Sequence, residues 1–164
     1  MGISFSAIDL QTRLEVQDLL SRFCHALDRN MTKEWIELFP EDGCVEAPRF
    51  GTFCGRAEIA RLPDLVREHG KGCWRHYLNN MYMDRMPDSR DLQVEAYCTV
   101  SDWSKKGNVV RSWDFSARVG KRRGWKIVNL LLSPVAALET CERPLSMQSP
   151  AVPLVADAER LRAN

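Results

Sequence analysis

The sequence predicts an α+β domain in which N-terminal helices pack against a mainly antiparallel sheet. Two patterns lead to this prediction. Apolar residues recur at helical spacing through residues 8–30 and again through residues 56–69. Beyond residue 73, long segments with period-two alternation are separated by short turns, which is typical of antiparallel strands. Helices followed by a run of strands in one chain favour an α+β arrangement.

Length and composition are those of a single globular domain. The chain has 164 residues, of which 45% are hydrophobic and 27% charged, enough for a sizeable core. The formal net charge of +1 gives no electrostatic basis for binding nucleic acid or an anionic membrane. No signal peptide is visible, and no apolar run approaches the ~20 residues of a membrane span. We therefore expect a cytoplasmic protein with no nucleic-acid partner and no membrane partner.

The cysteines are spread along the chain without a C-x-x-C pair or the spacing of a zinc site. They lie mostly within apolar patterns, where a free cysteine behaves as a small hydrophobic residue. We therefore expect free thiols rather than disulfides, in a reducing compartment, and no metal site. No motif for an organic cofactor is present either, so no cofactor is predicted. The cysteines are Cys24, Cys44, Cys54, Cys73, Cys98 and Cys141.

The first predicted helix, residues 8–30, carries an apolar stripe on one side. The stripe repeats at intervals of three and four residues, and its members are Val16, Leu20, Phe23 and Leu27. At about 100° per residue, Asp28 lies on the flank of this stripe, where it can face a cavity at the edge of the core. The simpler interpretation is a solvated acid in the last helical turn. The helix dipole mildly disfavours an acid there, however, which suggests that another group holds Asp28 in place.

Two shorter helices and a hairpin are predicted to follow. Thr32 is the expected N-cap of the second helix. Residues 44–47 and residues 50–54 are expected to pair as a short hairpin. The third helix, over residues 56–69, contains Pro63, which should kink or divide it.

Long strands joined by short turns complete the predicted sheet as a meander. They are expected within residues 71–82, 92–103, 109–119 and 125–132. The first of them carries His76, and aromatic bulk with alternation supports its assignment as a strand. The residues expected to share one face with His76 are Leu78, Asn80 and Tyr82.

The two ends of the chain are expected to lie outside this arrangement. The domain is predicted to cover residues 1–133, and its first seven residues are expected to form a loose leader. Residues 134–164 contain several prolines and a short helical stretch at residues 157–162, with too little apolar periodicity for a second domain. We expect this tail to cover the mouth of a pocket or to contact a neighbouring subunit.

Five segments are the basis of a family resemblance: residues 26–28, 35–43, 55–59, 75–79 and 124–127. Together they resemble the nuclear transport factor 2-like superfamily, in its SnoaL-like branch. That branch holds scytalone dehydratase, the hexachlorocyclohexane dehydrochlorinase and polyketide cyclases, and ring-hydroxylating dioxygenase β-subunits are relatives. The resemblance covers residues 8–133. It is more specific for the fold than for the reaction, because this scaffold hosts many chemistries.

The resemblance implies a cone-shaped barrel, with a strongly bent sheet around the first helix and a deep apolar cavity. In the dehydratase and the dehydrochlorinase, an Asp late in the first helix pairs with a His on the strand after the third helix. Those positions match Asp28 and His76. Scytalone dehydratase has a Tyr and a second His where this chain has Leu27 and, approximately, Cys98, which argues against the same substrate. The dehydrochlorinase's Lys and Arg have no clear counterpart, which argues against chloride elimination.

The same resemblance places a further polar residue at about Asp114, for which alternation leaves two orientations. Trp113 and Phe115 share one face of the strand, and Asp114 lies on the other. If the apolar face fills the cone, Asp114 points outward; if it forms a subunit contact, Asp114 points into the cavity. We favour the cavity. Because relatives form dimers or trimers through the outer sheet face, we also expect a homo-oligomer with Trp113 and Phe115 at the contact.

A pair formed by His76 and Asp28 suits general acid–base catalysis. An imidazole can accept a proton near neutral pH, and a carboxylate on its other nitrogen fixes the tautomer and stabilises the imidazolium. Removal of a proton beside a carbonyl or leaving group leads to elimination, isomerisation or aldol-type cyclisation. The catalytic candidates are His76, Asp28 and Asp114. The side chains expected around the substrate are Trp35, Asn80, Tyr82, Tyr97 and Cys98.

Two functions stay open at the level of sequence. The first is a cofactor-independent lyase or isomerase acting on a small hydrophobic polyketide, terpenoid or aromatic substrate. The second is a non-catalytic subunit or small-molecule binding module, like a dioxygenase β-subunit. The pair of Asp28 and His76 favours the first, whereas a cavity filled by Trp and Met side chains would favour the second. For His76 alone, a strand histidine bonded to a backbone carbonyl is the simpler interpretation.

Overall fold

The computed structural model describes residues 8–87 and 89–135. The predicted leader, the predicted helical stretch at residues 157–162 and nearly all of the predicted tail lie outside these residues. Within them, the helices are α1 (Leu10–Asp28), α2 (Thr32–Ile36), α3 (Arg56–Ile59) and α4 (Leu62–Gly70). The strands are β1 (Cys44–Ala47), β2 (Gly51–Cys54), β3 (Trp74–Arg85), β4 (Leu92–Asp102), β5 (Asn108–Arg122) and β6 (Gly124–Pro134).

The helix α1 begins and ends within two residues of the predicted bounds. Asp9 is its N-cap, and the Asp9 carboxylate accepts a hydrogen bond of 2.8 Å from the backbone N–H of Thr12. This side-chain bond satisfies one of the donors that a helix N-terminus otherwise leaves unpaired. The predicted apolar stripe is buried along its whole length, from Val16 to Leu27.

The short helices follow the predicted pattern with one correction. Met31 rather than Thr32 is the N-cap of α2, because Thr32 already has helical geometry and the carbonyl of Met31 accepts the bond from Trp35, at 2.8 Å. The predicted break at Pro63 is present. The chain divides there into α3 and α4, with the proline in the first turn of α4, where its missing N–H costs no hydrogen bond.

The strands form one six-stranded mixed sheet in the order β2-β1-β6-β5-β4-β3. The four long strands follow one another as the predicted antiparallel meander, and β1 joins β6 in parallel. Since α1 packs against β3 and also against β6, the sheet curves around this helix. The α+β prediction, with helices packed in a bent sheet, is thereby confirmed.

The core fills the space between α1 and the concave face of the sheet. The inward residues of β4 are the predicted alternating set, and β5 adds buried residues from the same side. Three aromatic rings pack together here, with Phe23 of α1 lying 4.8 Å from Trp35 and 5.7 Å from Phe115 between ring centroids. Contacts of this kind add to the free energy that burial alone provides.

A disulfide joins Cys44 and Cys54, which contradicts the expectation of free thiols throughout. These two residues face each other across the β1–β2 pair, with Cα atoms 4.2 Å apart. Such close Cα spacing belongs to the non-hydrogen-bonded sites of an antiparallel ladder. The sequence spacing alone did not reveal the pairing, because it depends on the register of the hairpin. Within the described residues, Cys24, Cys73 and Cys98 are free.

We predict that the Cys44→Ser/Cys54→Ser double variant unfolds at lower urea concentration than the oxidised wild type. A cross-link that closes a loop of this length restricts the unfolded chain, and its loss costs about 2–3 kcal/mol. Equilibrium urea denaturation without reductant measures the difference, with Cys73→Ser as the control. Equal stability of the double variant and the wild type would contradict the prediction.

Candidate active site

The C-terminus of α1 meets the beginning of β3 through a hydrogen-bonded pair. Asp28 is the last residue of α1, and His76 is near the start of β3. The Oδ1 atom of Asp28 lies 2.6 Å from Nδ1 of His76. The Oδ2 atom accepts a second bond of 3.0 Å from the backbone N–H of His76. The carboxylate therefore fixes both the backbone and the ring of the same residue.

This geometry determines the tautomer of the neutral imidazole. An ionised carboxylate only accepts hydrogen bonds, so Nδ1 of His76 carries the proton, and Nε2 keeps its lone pair. Both side chains are nearly buried, at 8% exposure for Asp28 and 10% for His76. The bonds from His76 also offset the unfavourable position of a negative charge at a helix C-terminus. The sequence-based expectation that these two residues meet is thus fulfilled by the structure, and their catalytic role is a proposal taken up below.

His76 lines a largely apolar cavity inside the cone. The cavity has a volume of about 50 Å³, room for only a few water molecules. The β1–β2 turn lines one side of the cavity with exposed and half-buried residues, Phe50 among the latter, and we call this side the mouth. Cys98, which was expected near the substrate, also lines it. Other lining residues are Phe23, Leu27, Trp74, Val100, Trp113 and Leu130.

A second, wider groove reaches the same pair and has more polar surface than the cavity. It is lined by Asp28 and His76 together with Arg29, Arg75 and Trp103. The guanidinium of Arg75 donates to the carbonyl of Trp74, at 2.6 Å, rather than to Asp28. His76 therefore lies between the apolar cavity and this outer groove.

Asp114 does not enter the cavity, and the predicted orientation is wrong. Asp114 is exposed, whereas Phe115 is fully buried against Phe23. The apolar face of β5 fills the cone, so alternation turns the carboxylate outward. For the same reason Phe115 cannot form the subunit contact expected of it, and Trp113 lines the cavity instead.

The expected continuation of the His76 face along β3 is interrupted by a bulge. The register of β3 against β4 shifts between Asn79 and Tyr82, and Asn80 adopts a left-handed backbone with φ of 51°. A bulge reverses the alternation, so that Met83 is buried and Tyr82 is 58% exposed. Neither Asn80 nor Tyr82 lies at the cavity, which corrects their assignment as substrate contacts.

Two further residues expected around the substrate lie elsewhere. Tyr97 is on the outer face of β4 and is 53% exposed, because its neighbours Ala96 and Cys98 occupy the inner face. Trp35 is completely buried in the core, where its indole N–H donates to the carbonyl of Ile59, at 3.0 Å. A buried tryptophan whose only polar atom is already paired serves packing.

Two arginines that were not predicted from the sequence line the cavity, Arg49 in the β1–β2 turn and Arg111 on β5. A signal for Arg111 was available, because it has the same parity as Trp113 and Phe115. This shared parity could not place Arg111 at the cavity until the structure showed which face of β5 points inward. Arg49 lies in a turn, and only the pairing of β1 with β6 places that turn over the cavity.

Burial controls the chemistry of two thiols beside the pair. It raises the pKa of Cys98 to about 12, and the nearby Asp28 charge acts in the same direction. Burial likewise raises the pKa of Cys24 far above its ordinary value, with smaller contributions from Cys98 and Asp28. Both thiols are therefore protonated and unreactive at neutral pH.

We predict that these thiols make the fold less stable in alkali. The unfolded chain releases the Cys98 proton near the ordinary thiol pKa of 9.0, whereas the folded chain keeps it until about 12. Stability from this difference is fully present below pH ~9 and is lost as the pH rises toward the higher value. Urea denaturation at pH ~8 and pH ~10.5 should show a smaller decline for Cys98→Ala than for wild type. A Cys73→Ala control should follow the wild type, and identical slopes for all three proteins would contradict the prediction.

Among the residues that the structure describes, no group of three or more His, Cys, Asp or Glu side chains is placed to hold a metal ion. The described helices also include none that combines the length and the apolar character needed to cross a bilayer.

The chain belongs to the family of the SnoaL-like domain, whose sequence pattern matches residues 9–130. This match covers the helices and strands that build the cone and includes both Asp28 and His76. No protein of curated function matches the chain by sequence.

Solved structures agree with this fold. A protein of unknown function with a cystatin-like fold from Nostoc punctiforme is similar with a TM-score of 0.70 and 20% identity, over 80% of this chain and 97% of that one. An NTF2-like protein with a cystatin-like fold from Novosphingobium aromaticivorans has a TM-score of 0.68 and 21% identity, over 80% and 94%. ActVI-ORFA from Streptomyces coelicolor has a TM-score of 0.64 and 14% identity, over 76% and 98%. At these identities the likeness shows the fold alone.

Proposed function

We propose that this protein is a lyase or isomerase in which His76 removes a proton from a carbon atom of a small hydrophobic substrate. The observation that carries the proposal is the 2.6 Å contact between His76 Nδ1 and Asp28 Oδ1. The residue that makes this contact, His76, also lines an apolar cavity. A merely structural histidine does not need a buried carboxylate on one nitrogen and a cavity beside the ring. The family membership of the chain supports the proposal, because related enzymes carry out dehydration and cyclisation on this fold.

The chemistry follows from the order of hydrogen bonds. With Nδ1 held by Asp28, Nε2 of His76 is the nitrogen that can accept the substrate proton. The imidazolium that forms is stabilised by the adjacent carboxylate. The carbanion or enolate then expels a leaving group, is reprotonated elsewhere or attacks a carbonyl. General-base assistance of this kind supplies about 10²–10⁴ in rate, and positioning in the cavity supplies the remainder.

The cavity limits the substrate class. Its apolar lining favours a polyketide, terpenoid or aromatic compound over a sugar or nucleotide. At about 50 Å³ it is smaller than such a molecule, so binding requires the side chains at the mouth to move. Phe50 is suited to this because it lies in the β1–β2 turn and is only half-buried.

The alternative function is a binding module or a non-catalytic subunit. The small volume of the cavity favours it, as does the exposure of Tyr77, Tyr82 and Tyr97 on the outer sheet face, where a partner or a second copy could pack. A homo-oligomer through this outer face stays part of the proposal, with contacts other than Trp113 and Phe115. The position of the protein in the cytoplasm likewise stays a proposal.

We predict that the protein accelerates the Kemp elimination of 5-nitrobenzisoxazole, a compact aromatic probe for a base in an apolar cavity. The base takes the proton from C3, the N–O bond breaks, and a nitrile and a coloured phenolate form. His76→Ala should lower the rate by about 10²–10⁴, because the accepting nitrogen is lost. Asp28→Asn should lower it comparably, since the amide can donate to Nδ1 and leave the proton on Nε2.

The control for this experiment is His25→Ala, which removes an exposed histidine of α1 that lines the outer groove but not the apolar cavity. It should retain the wild-type rate. Circular dichroism establishes whether each variant is folded. Folded His76→Ala protein with an undiminished rate would rule out the assigned base and leave the binding module as the better interpretation.

A further inference from the structure

Arg111 and His76 lie in one row across three neighbouring strands. Val100 of β4 pairs with His76 of β3 on one side and with Arg111 of β5 on the other. Residues paired in this way point to the same face of a sheet. All three line the apolar cavity, whose surface is almost entirely carbon, so Arg111 contributes the carbon atoms of its side chain to the wall and its guanidinium lies at the edge. Because adjacent strands are about 4.8 Å apart, the Cα atoms of His76 and Arg111 are separated by about 10 Å.

A bulge in β5 sets the position of Arg111. Val100 pairs with Arg111 and Ser101 with Val109, so that Val110 is the extra residue. Bulges of this kind redirect a neighbouring side chain and are common beside active sites. The Arg111 guanidinium donates to the carbonyl of Val110, at 2.7 Å, and the remaining N–H groups make no ion pair with an acid among the described residues.

Arg49 adds a second positive charge beside the cavity, on an exposed side chain. It belongs to the β1–β2 turn, which lines the cavity from Ala47 to Phe50. Like Arg111, it has no ion-pair partner within the described part of the chain. By contrast, Arg118 on the outer side of β5 is paired with the buried Asp91 at 2.6 Å. The cavity arginines are therefore distinguished from a structurally paired arginine of the same strand.

We infer that Arg111, assisted by Arg49, binds an anionic oxygen of the substrate, so that the substrate is an organic acid or an ionised phenol rather than a neutral hydrocarbon derivative. This inference rests on the proposed function. A guanidinium beside apolar side chains gains strongly from a carboxylate or phenolate partner, and its planar donors suit such oxygens. The row then orients the substrate, with its anionic end at Arg111 and its acidic C–H at His76.

The direct test compares the binding of matched anionic and neutral probes by isothermal titration calorimetry. The carboxylate pair is 2-naphthoate and 2-naphthamide, and the phenolate pair is 4-nitrophenolate and 4-nitroanisole. Wild type should bind at least one anion about tenfold to a hundredfold more tightly than its neutral partner, the range expected for a hydrogen bond to a charged group. Which pair shows the preference identifies the oxygen as carboxylate or phenolate.

Arg111→Gln should abolish most of that preference without weakening the binding of the neutral probes. Arg111→Lys, which keeps a charge but loses the planar donors, should retain part of it, and Arg49→Gln should reduce it by a smaller factor. The matched control is Arg123→Gln, which removes the same charge from the exposed β5–β6 turn and should behave as wild type. If circular dichroism shows that Arg111→Gln is unfolded, the results for Arg111→Lys and Arg49→Gln decide whether the inference holds.

Equal affinity for the anionic and neutral probes in wild type, or no detectable binding of either anion, overturns the inference. A preference that persists in folded Arg111→Gln overturns the assignment to this residue. The proposed base is tested separately, because His76→Ala should keep the anion preference while losing Kemp elimination. If wild type catalyses Kemp elimination but shows no preference for the anionic probes, the inference about Arg111 has failed. If wild type prefers the anionic probes but does not catalyse the elimination, the proposed base has failed.

Discussion

The bidentate contact between the Asp28 carboxylate and His76 connects the two halves of this fold. One oxygen accepts from the backbone of β3 and the other from the imidazole, so the contact fixes the strand and its side chain together. A charge at a helix C-terminus, almost removed from water, is unfavourable without such partners. The same contact that stabilises the junction of α1 and β3 also presents a defined tautomer to the cavity. Structure and proposed chemistry therefore depend on one interaction.

Two bulges decide what surrounds that junction. Each adds a residue to one strand and so reverses the face on which the following side chains lie. In β3 the bulge confines the residues at the cavity to Trp74 and His76, near the start of the strand, and turns Tyr82 outward. In β5 it sits immediately before Arg111. The result is a cavity wall on which an imidazole and an arginine side chain lie at the two ends of one row.

The β1–β2 hairpin closes this arrangement at its mouth. It is cross-linked by Cys44 and Cys54 and joined in parallel to β6, so its position relative to the sheet is fixed on two sides. The turn itself carries Arg49 and Phe50, and the Phe50 ring packs edge-on against His69, with 4.8 Å between ring centroids. Under the proposed function, these are the side chains whose movement would admit a substrate to the small cavity.

Local patterns in the sequence were enough to predict the helices, the strands and the break at Pro63, because period and turn chemistry are properties of neighbouring residues. Family resemblance extended this to the meeting of Asp28 and His76. Only the tertiary structure decided which face of β5 fills the cone, and hence that Phe115 is inside and Asp114 outside. Alternation defines two faces but does not say which one α1 will cover, and a single bulged residue exchanges them. The disulfide and the cavity arginines escaped prediction for the same reason, since they depend on register between segments distant in the chain.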